Sequence, residues 1–264
     1  MGAGRLSQSR TSGRGSLALR RIGIVCALRD EARHFRRGAR TSAGVTELAS
    51  GMLLSVAGMG PTAAAAGTRA LIAAGARAIL GWGFAGGLDP QLKCGSVLLP
   101  AEVLNTVGAR IAVSEDWRSV LHKALGPRQR HSDSALLTSP NAIGTAAEKA
   151  RLFATSGAGA VDMESYIIAQ IAQQHALPFV CLRVLIDTAQ DELPAAIRQA
   201  ADQYGDLRLG RLLLTLARAP MQLGAVARLG RRFRIADRVL AGLAMLDLQA
   251  TVALVDVKRR GQPG

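Results

Sequence analysis

The chain has 264 residues, 49% of them hydrophobic and only 3% aromatic, so it buries a sizeable core of Ala, Leu, Val and Ile and is not disordered throughout. Its net charge of +14 is uneven: residues 1–21 hold five Arg and no acid, 206–264 hold eleven basic and four acidic residues, and 22–205 hold 17 basic against 15 acidic. A nearly neutral body with basic ends argues against a nucleic-acid-binding core and places anionic partners near the ends.

Residues 1–20, rich in Arg, Ser and Gly and lacking an apolar h-region, read as a flexible basic tail and not as a secretory signal. Ile22 to Ala27 is a short apolar run suited to a buried first strand. It is followed by a polar turn, Leu28 to Arg33, that opens a helix. Met52 to Ala57 reads as a strand ending at Gly58-Met59-Gly60-Pro61-Thr62, and the Ala-rich 62–75 segment as a helix with Pro61 in its first turn. The longest uncharged stretch, Leu48 to Thr68, is interrupted by four glycines and Pro61, so it reads as strand, turn and helix, with no bilayer span.

Ala78 to Gly81 is a strand running into a glycine-rich turn, Gly83 to Gly87, and Ser96 to Pro100 is another strand candidate. Asp116 to Leu125, Thr145 to Thr155 and Glu164 to His175 read as helices; Ala135 to Thr138, Ala160 to Met163 and Pro178 to Ile186 read as strands. Strands alternating with helices indicate an α/β fold with a parallel or mixed sheet, in which ligands sit beyond the carboxyl ends of strands. Glu31, the two glycine-rich turns, Glu164 and Asp187 all fall at such ends. From Leu207 the pattern is helical, with segments broken at Pro220 and Gly230.

The residues with chemical potential have plain readings too. Strand-to-helix glycines such as Gly58 let a ligand approach the backbone, but they are common. Asp162 and Glu164 could complement a helix dipole, Glu31 could be a solvated helix-start acid, and Asp187 could be a cap. Against that last reading, the apolar Phe179–Ile186 run would raise a neighbouring carboxyl pKa and let Asp187 keep a proton. Three dispersed cysteines suggest neither a disulfide framework nor zinc, and a reducing cytoplasm is the expected compartment. The four histidines show no metal-like or triad-like spacing, so no metal is expected.

Taken together, IGIVCALRDE (22–31), GMGPTAAA (58–65), GFAGGLDP (83–90), VDMES (161–165) and RVLIDTAQD (183–191) resemble the purine nucleoside phosphorylase and nucleosidase superfamily, in its order. The resemblance extends to methylthioadenosine/S-adenosylhomocysteine nucleosidases and, more closely, to the hopanoid-associated phosphorylase branch, which is thought to remove adenine from adenosylhopane. It implies a three-layer α/β/α sandwich around a mixed, partly barrel-like sheet, assembled as a dimer or hexamer. It also implies three parts: the tail, a catalytic domain over 21–205 and a basic helical extension over 206–264. By position, Glu31 matches the carboxylate that orients or deprotonates water, Met163 and Glu164 the pair at the ribose, and Asp187 the acid that protonates the purine at N7. Gly86 and Gly87 lie near the ribose and nucleophile.

That chemistry suits these residue types. Adenine leaves poorly unless its ring is protonated, and a neutral buried carboxyl can supply the proton. A second carboxylate can bind the ribose hydroxyls more strongly as positive charge develops. Phe84 departs from the superfamily, where a small hydroxyl residue commonly stands. Gly81-Trp82 lacks an arginine that phosphorylases use for phosphate, and Arg29 is the only local candidate. Water is therefore favoured as nucleophile, with inorganic phosphate kept as an alternative co-substrate and no other cofactor expected. No aromatic stands near Thr138–Ile143 to stack adenine, and Arg183 either orients a site carboxylate or forms a structural salt bridge.

The basic segment 206–264 either docks on an anionic membrane surface or packs on the domain with a solvated Arg face. The leading expectation is a cytoplasmic or membrane-peripheral enzyme acting on a small or lipid-tailed adenosyl nucleoside. A methylthioadenosine/S-adenosylhomocysteine nucleosidase is the alternative within the class. A non-catalytic membrane- or nucleic-acid-binding protein is the rival outside it.

Overall fold

The computed structural model describes residues 21–35, 40–42, 44–126, 129, 131–193 and 223–253. The expected basic tail, the helix expected over Leu207–Ala217 and the boundary at 205/206 lie outside the described residues.

The first strand, β1 (Ile22–Cys26), is buried at every position and lies parallel between β4 (Leu53–Val56) and β5 (Ala78–Gly87). Burial on both faces explains its unbroken apolar run. A short hairpin, β2 (Arg40–Ser42) and β3 (Val45–Glu47), extends the β4 edge. After β4, α2 (Pro61–Ala73) begins with Pro61 at its first position, preceded by Gly60 at φ 91°. A long chain segment then supplies β6 (Val97–Leu98), the β7 (Glu102–Asn105) and β8 (Arg110–Ala112) hairpin, α3 (Glu115–Leu125), β9 (His131–Ser132) and β10 (Leu136–Thr138). Next comes α4 (Ala146–Ser156), whose N-cap Thr145 and Glu148 form a reciprocal capping box. β11 (Ala160–Asp162), α5 (Ser165–Gln174) and β12 (Phe179–Leu185) complete the alternation.

The twelve strands among the described residues join one mixed sheet that branches at β5 and, over those residues, does not close into a barrel. Ala78–Gly81 of β5 pair in parallel with β1 and Ile79–Ala85 in parallel with β12, while Gly86 and Gly87 pair antiparallel with Val161 and Ala160 of β11. The fold is thus the expected mixed α/β architecture. One local expectation fails: Gly83–Gly87 is no turn but the second half of a ten-residue strand. The glycines there serve close approach. Gly83 adopts φ +150°, and a methyl group on it would collide with the Glu31 carboxylate.

The basic helix α6 (Leu223–Leu243) continues straight through Gly230, so the expected break there does not occur. A single helix glycine costs only about 1 kcal/mol relative to Ala. Its Ala236, Leu240 and Leu243 are buried in the main core beside β12 residues, and Trp117 Nε1 donates to Thr251 Oγ1 at 2.8 Å just beyond it. The described part of the C-terminal segment is therefore integral to the body and does not stand apart as an appendage. Its Arg228, Arg231, Arg234 and Arg238 are exposed. No helix among the described residues is long and apolar enough to cross a membrane.

Candidate active site

Among the described residues, four carboxylates gather just beyond or at the ends of β1, β11 and β12, and two buried cations, Lys149 and Arg183, adjoin them. Glu31, on α1 (Arg29–Ala32), is drawn inward by backbone donors: Oε2 accepts from Ala27 N and Leu28 N, and Oε1 from Phe84 N, each at 2.8 Å. Oε2 is thereby saturated, and Oε1 keeps one free lone pair. Glu164, just before α5, accepts from Gly60 N at 2.8 Å through Oε1. The strand-to-helix loop at Gly58–Pro61 thus holds a carboxylate with the amide that opens α2.

Behind these two lies Arg183, 1% exposed at the centre of β12. Its Nη2 is 2.8 Å from Asp162 Oδ2 and donates to Ser165 Oγ at 2.9 Å. Asp162 also accepts from Thr138 Oγ1 at 2.8 Å, so β10, β11, α5 and β12 are bound to one another through this ion pair. Of the two roles open to Arg183, the structure shows the salt bridge, set among site carboxylates. Burial raises the Glu164 pKa from 4.5 to about 7; Asp162 adds to the rise and Arg183 opposes it. Burial likewise pushes the Glu31 carboxyl up, against Arg183 and the three amides.

Across the cavity, Asp187 follows β12. Its Oδ1 accepts from Gly87 N at 2.9 Å, and its Oδ2 is 2.8 Å from Lys149 Nζ, which also donates to Thr188 O at 2.9 Å. Burial raises the Asp187 pKa and Lys149 opposes it, with a net shift upward. The expectation of a carboxyl held only among aliphatic groups is therefore corrected: a buried ammonium adjoins it. Lys149 was missed. Its signal is a lone lysine on the α4 face that carries Leu152 and Phe153, where a solvated lysine has no reason to sit.

A cavity of about 170 Å³ is lined by Glu31, Phe84, Gly86, Met163, Glu164 and Asp187, together with Lys149 and Asp162. Six of the eight expected site residues thus share one space. The other two do not line it: Gly58 gives its N–H to Ala27 O at 3.1 Å, and Gly87 acts from behind by holding Asp187. Met59 lines the wall in place of Gly58. Apart from Asn141 the remaining walls are apolar, from Leu28, Ile143, Ile186 and Leu193, and Asn141-Ala142-Ile143 stands where no aromatic was expected. Elsewhere, the fold brings together two histidines whose spacing gave no hint of it: His131 Nε2 is 2.8 Å from His122 Nε2, beside Asp133. Arg118 shares that Asp133 carboxylate at 3.1 Å.

The family model described as the Phosphorylase superfamily matches residues 20–218, most of the chain, and the protein belongs to that superfamily. Among solved structures it is similar to the 5′-methylthioadenosine/S-adenosylhomocysteine nucleosidase of Neisseria meningitidis in complex with methylthio-immucillin-A: TM-score 0.65, 18% identity, covering 90% of this chain and 100% of that one. The futalosine hydrolase of Helicobacter pylori strain 26695 aligns with TM-score 0.62 and 17% identity over 85% of this chain and 97% of that one. The nucleosidase of Colwellia psychrerythraea 34H in complex with adenine aligns with TM-score 0.58 and 22% identity, over 74% and 93%. Membership supports an enzyme that cleaves N-glycosidic bonds by hydrolysis or phosphorolysis.

Proposed function

We propose that this phosphorylase-superfamily chain cleaves the N-glycosidic bond of an adenosyl nucleoside and releases adenine, with water as the attacking group. The observation that carries this reading is the placement of Asp187, Glu31 and Glu164 around one cavity, each carboxyl raised in pKa by burial. Asp187 protonates the departing base at N7, a general-acid contribution of roughly 10²–10⁴-fold. Lys149 holds Asp187 Oδ2 and leaves the remaining lone pair on Oδ1 to carry that proton. Glu164, backed by Met163, binds the ribose hydroxyls and stabilises the developing oxocarbenium charge. Glu31 orients and deprotonates water through the free lone pair of Oε1.

Water is favoured over phosphate because a dianion needs several fixed donors or cations. Among the described lining residues the one cation is Lys149, and it is already paired with Asp187. The 5′ substituent is apolar, matching the Leu28, Met59, Ile143 and Phe84 walls, and adenosylhopane is the leading candidate. The enzyme is then cytoplasmic, with the exposed arginines of α6 set against an anionic membrane. A second reading, methylthioadenosine, is favoured by the size of the cavity, since about 170 Å³ lies below the ~300–1,000 Å³ of ordinary ligand pockets.

Incubating the protein with adenosylhopane and with methylthioadenosine, each with and without phosphate, tests the whole reading. Phosphate-independent adenine release is expected, faster from adenosylhopane. Release from neither compound would reject the nucleosidase assignment, and strict dependence on phosphate would reject water.

A further inference from the structure

The chemistry above assigns no task to α6, which lies beyond the stretch matched by the superfamily. Yet this helix reaches the acid-bearing loop by three routes. Arg232 Nη2 is 2.7 Å from Asp191 Oδ1. The other oxygen of Asp191 accepts from Thr188 N at 3.0 Å and from Thr188 Oγ1 at 2.9 Å, and Asp191 N closes the turn onto Thr188 O. Thr188 is the neighbour of Asp187, and its carbonyl is also the second acceptor of Lys149. One ion pair therefore bears on both partners of the Asp187–Lys149 contact.

The second route is backbone. Cys94 Sγ lies 3.4 Å from Arg232 O and 3.5 Å from Ile186 O, the residue before Asp187. Gly95 is so close to α6 that an added methyl group would meet Ile235 at 3.1 Å. The third is aromatic: the Phe233 ring is centred 5.2 Å from that of Phe84, whose amide holds Glu31. Arg232 is half-buried, unlike Arg228, Arg231, Arg234 and Arg238, and the Asp191 side chain is only 14% exposed. A surface ion pair contributes little, but here the guanidinium meets a carboxylate already fixed in the loop it must hold.

We infer that α6 is a positioning element of the active site: Arg232, acting through Asp191, fixes the Thr188–Asp191 turn and with it the Asp187 side chain, while Phe233 braces Phe84. The catalytic part of this inference rests on the nucleosidase reading; the structural coupling does not. Misplacing a reacting group by about 1 Å can cost on the order of 10²-fold in rate. Arg232→Ala is thus expected to lower kcat for adenine release by roughly 10–100-fold with KM little changed. Arg232→Lys, which keeps the charge but loses the fork, recovers part of the rate. Asp191→Asn reproduces the loss, and combining it with Arg232→Ala adds little further, because the two act as one unit.

Amide hydrogen exchange on the full chain reads the coupling without any substrate. In Arg232→Ala the Thr188 amide exchanges faster while Ile24, in β1, is unchanged. If kcat and Thr188 exchange both stay at parental values while the parent releases adenine, the inference is overturned and the proposed function stands. If exchange quickens uniformly and kcat does not fall, α6 is merely structural and the inference also fails. If the parent releases no base, the function falls, and the exchange at Thr188 still decides whether Arg232 holds the turn.

Discussion

The two sides of the cavity manage buried charge differently. On the base side, one carboxylate meets one ammonium directly: Asp187 and Lys149, whose side chains are 12% and 1% exposed. On the sugar side, Arg183 serves three carboxylates at once, pairing with Asp162 and acting on Glu31 and Glu164 from behind. Three acids around one guanidinium cannot all ionise cheaply in a dry site, and burial accordingly raises the pKa of both Glu31 and Glu164, the latter to about 7. The base side is tuned by a single contact and the sugar side by a shared one. Substitutions on the base side should therefore act on the protonation of the leaving group, and those on the sugar side on binding and on the response to pH.

The largest expected effect comes from removing the acid. Asp187→Asn should lower adenine release by about 10²–10⁴-fold with the circular dichroism spectrum unchanged. Near-parental turnover would contradict the base-side assignment. Lys149→Met comes next. It removes the buried cation beside Asp187, so it should raise the Asp187 pKa further and, at pH values where that acid is ionised, destabilise the chain by up to roughly 3–5 kcal/mol in urea unfolding. A stability equal to the parent's would mean the pair is not closed in solution.

Smaller effects separate the sugar side. Glu164→Gln should raise KM and lower kcat for ribose substrates, and a 2′-deoxy nucleoside should be a poor substrate for the parent; equal handling of both sugars would remove Glu164 from the ribose. The same residue sets the smallest effect, on stability. The folded chain holds the Glu164 proton more tightly than the unfolded chain does, since its pKa rises from 4.5 to about 7. That contribution is complete below the unfolded value and is lost as pH climbs through about 7. Unfolding free energy should therefore fall between about pH 5 and about pH 8, and fall less in Glu164→Gln. Parallel curves for the two proteins would show that another group carries the change.

Long periodic elements were legible in the sequence: α3, α4, α5 and β12 lie within a residue or two of their expected ends. The second half of β5 was not, because five residues containing three glycines carry the local signature of a turn. They are glycines because Glu31 and Asp187 press against that strand, a tertiary cause that leaves no local trace. The short hairpins at 40–47 and 102–112 escaped for want of length. Motif order brought most of the site into view, including Phe84 and Met163. It could not show that Gly58 faces away from the cavity, nor that Lys149 reaches across 38 residues to Asp187, since the contact depends on how α4 is laid against the end of β12.

The central claim is that Asp187 keeps a proton where an ordinary aspartate has lost it. Carboxyl carbon NMR of the chain with labelled aspartate, with the Asp187 resonance assigned by its absence in Asp187→Asn, measures this directly. The expected outcome is a midpoint above the ordinary 3.8 of a free aspartate. A midpoint at or below that value would show that Lys149 outweighs burial and that Asp187 is no general acid.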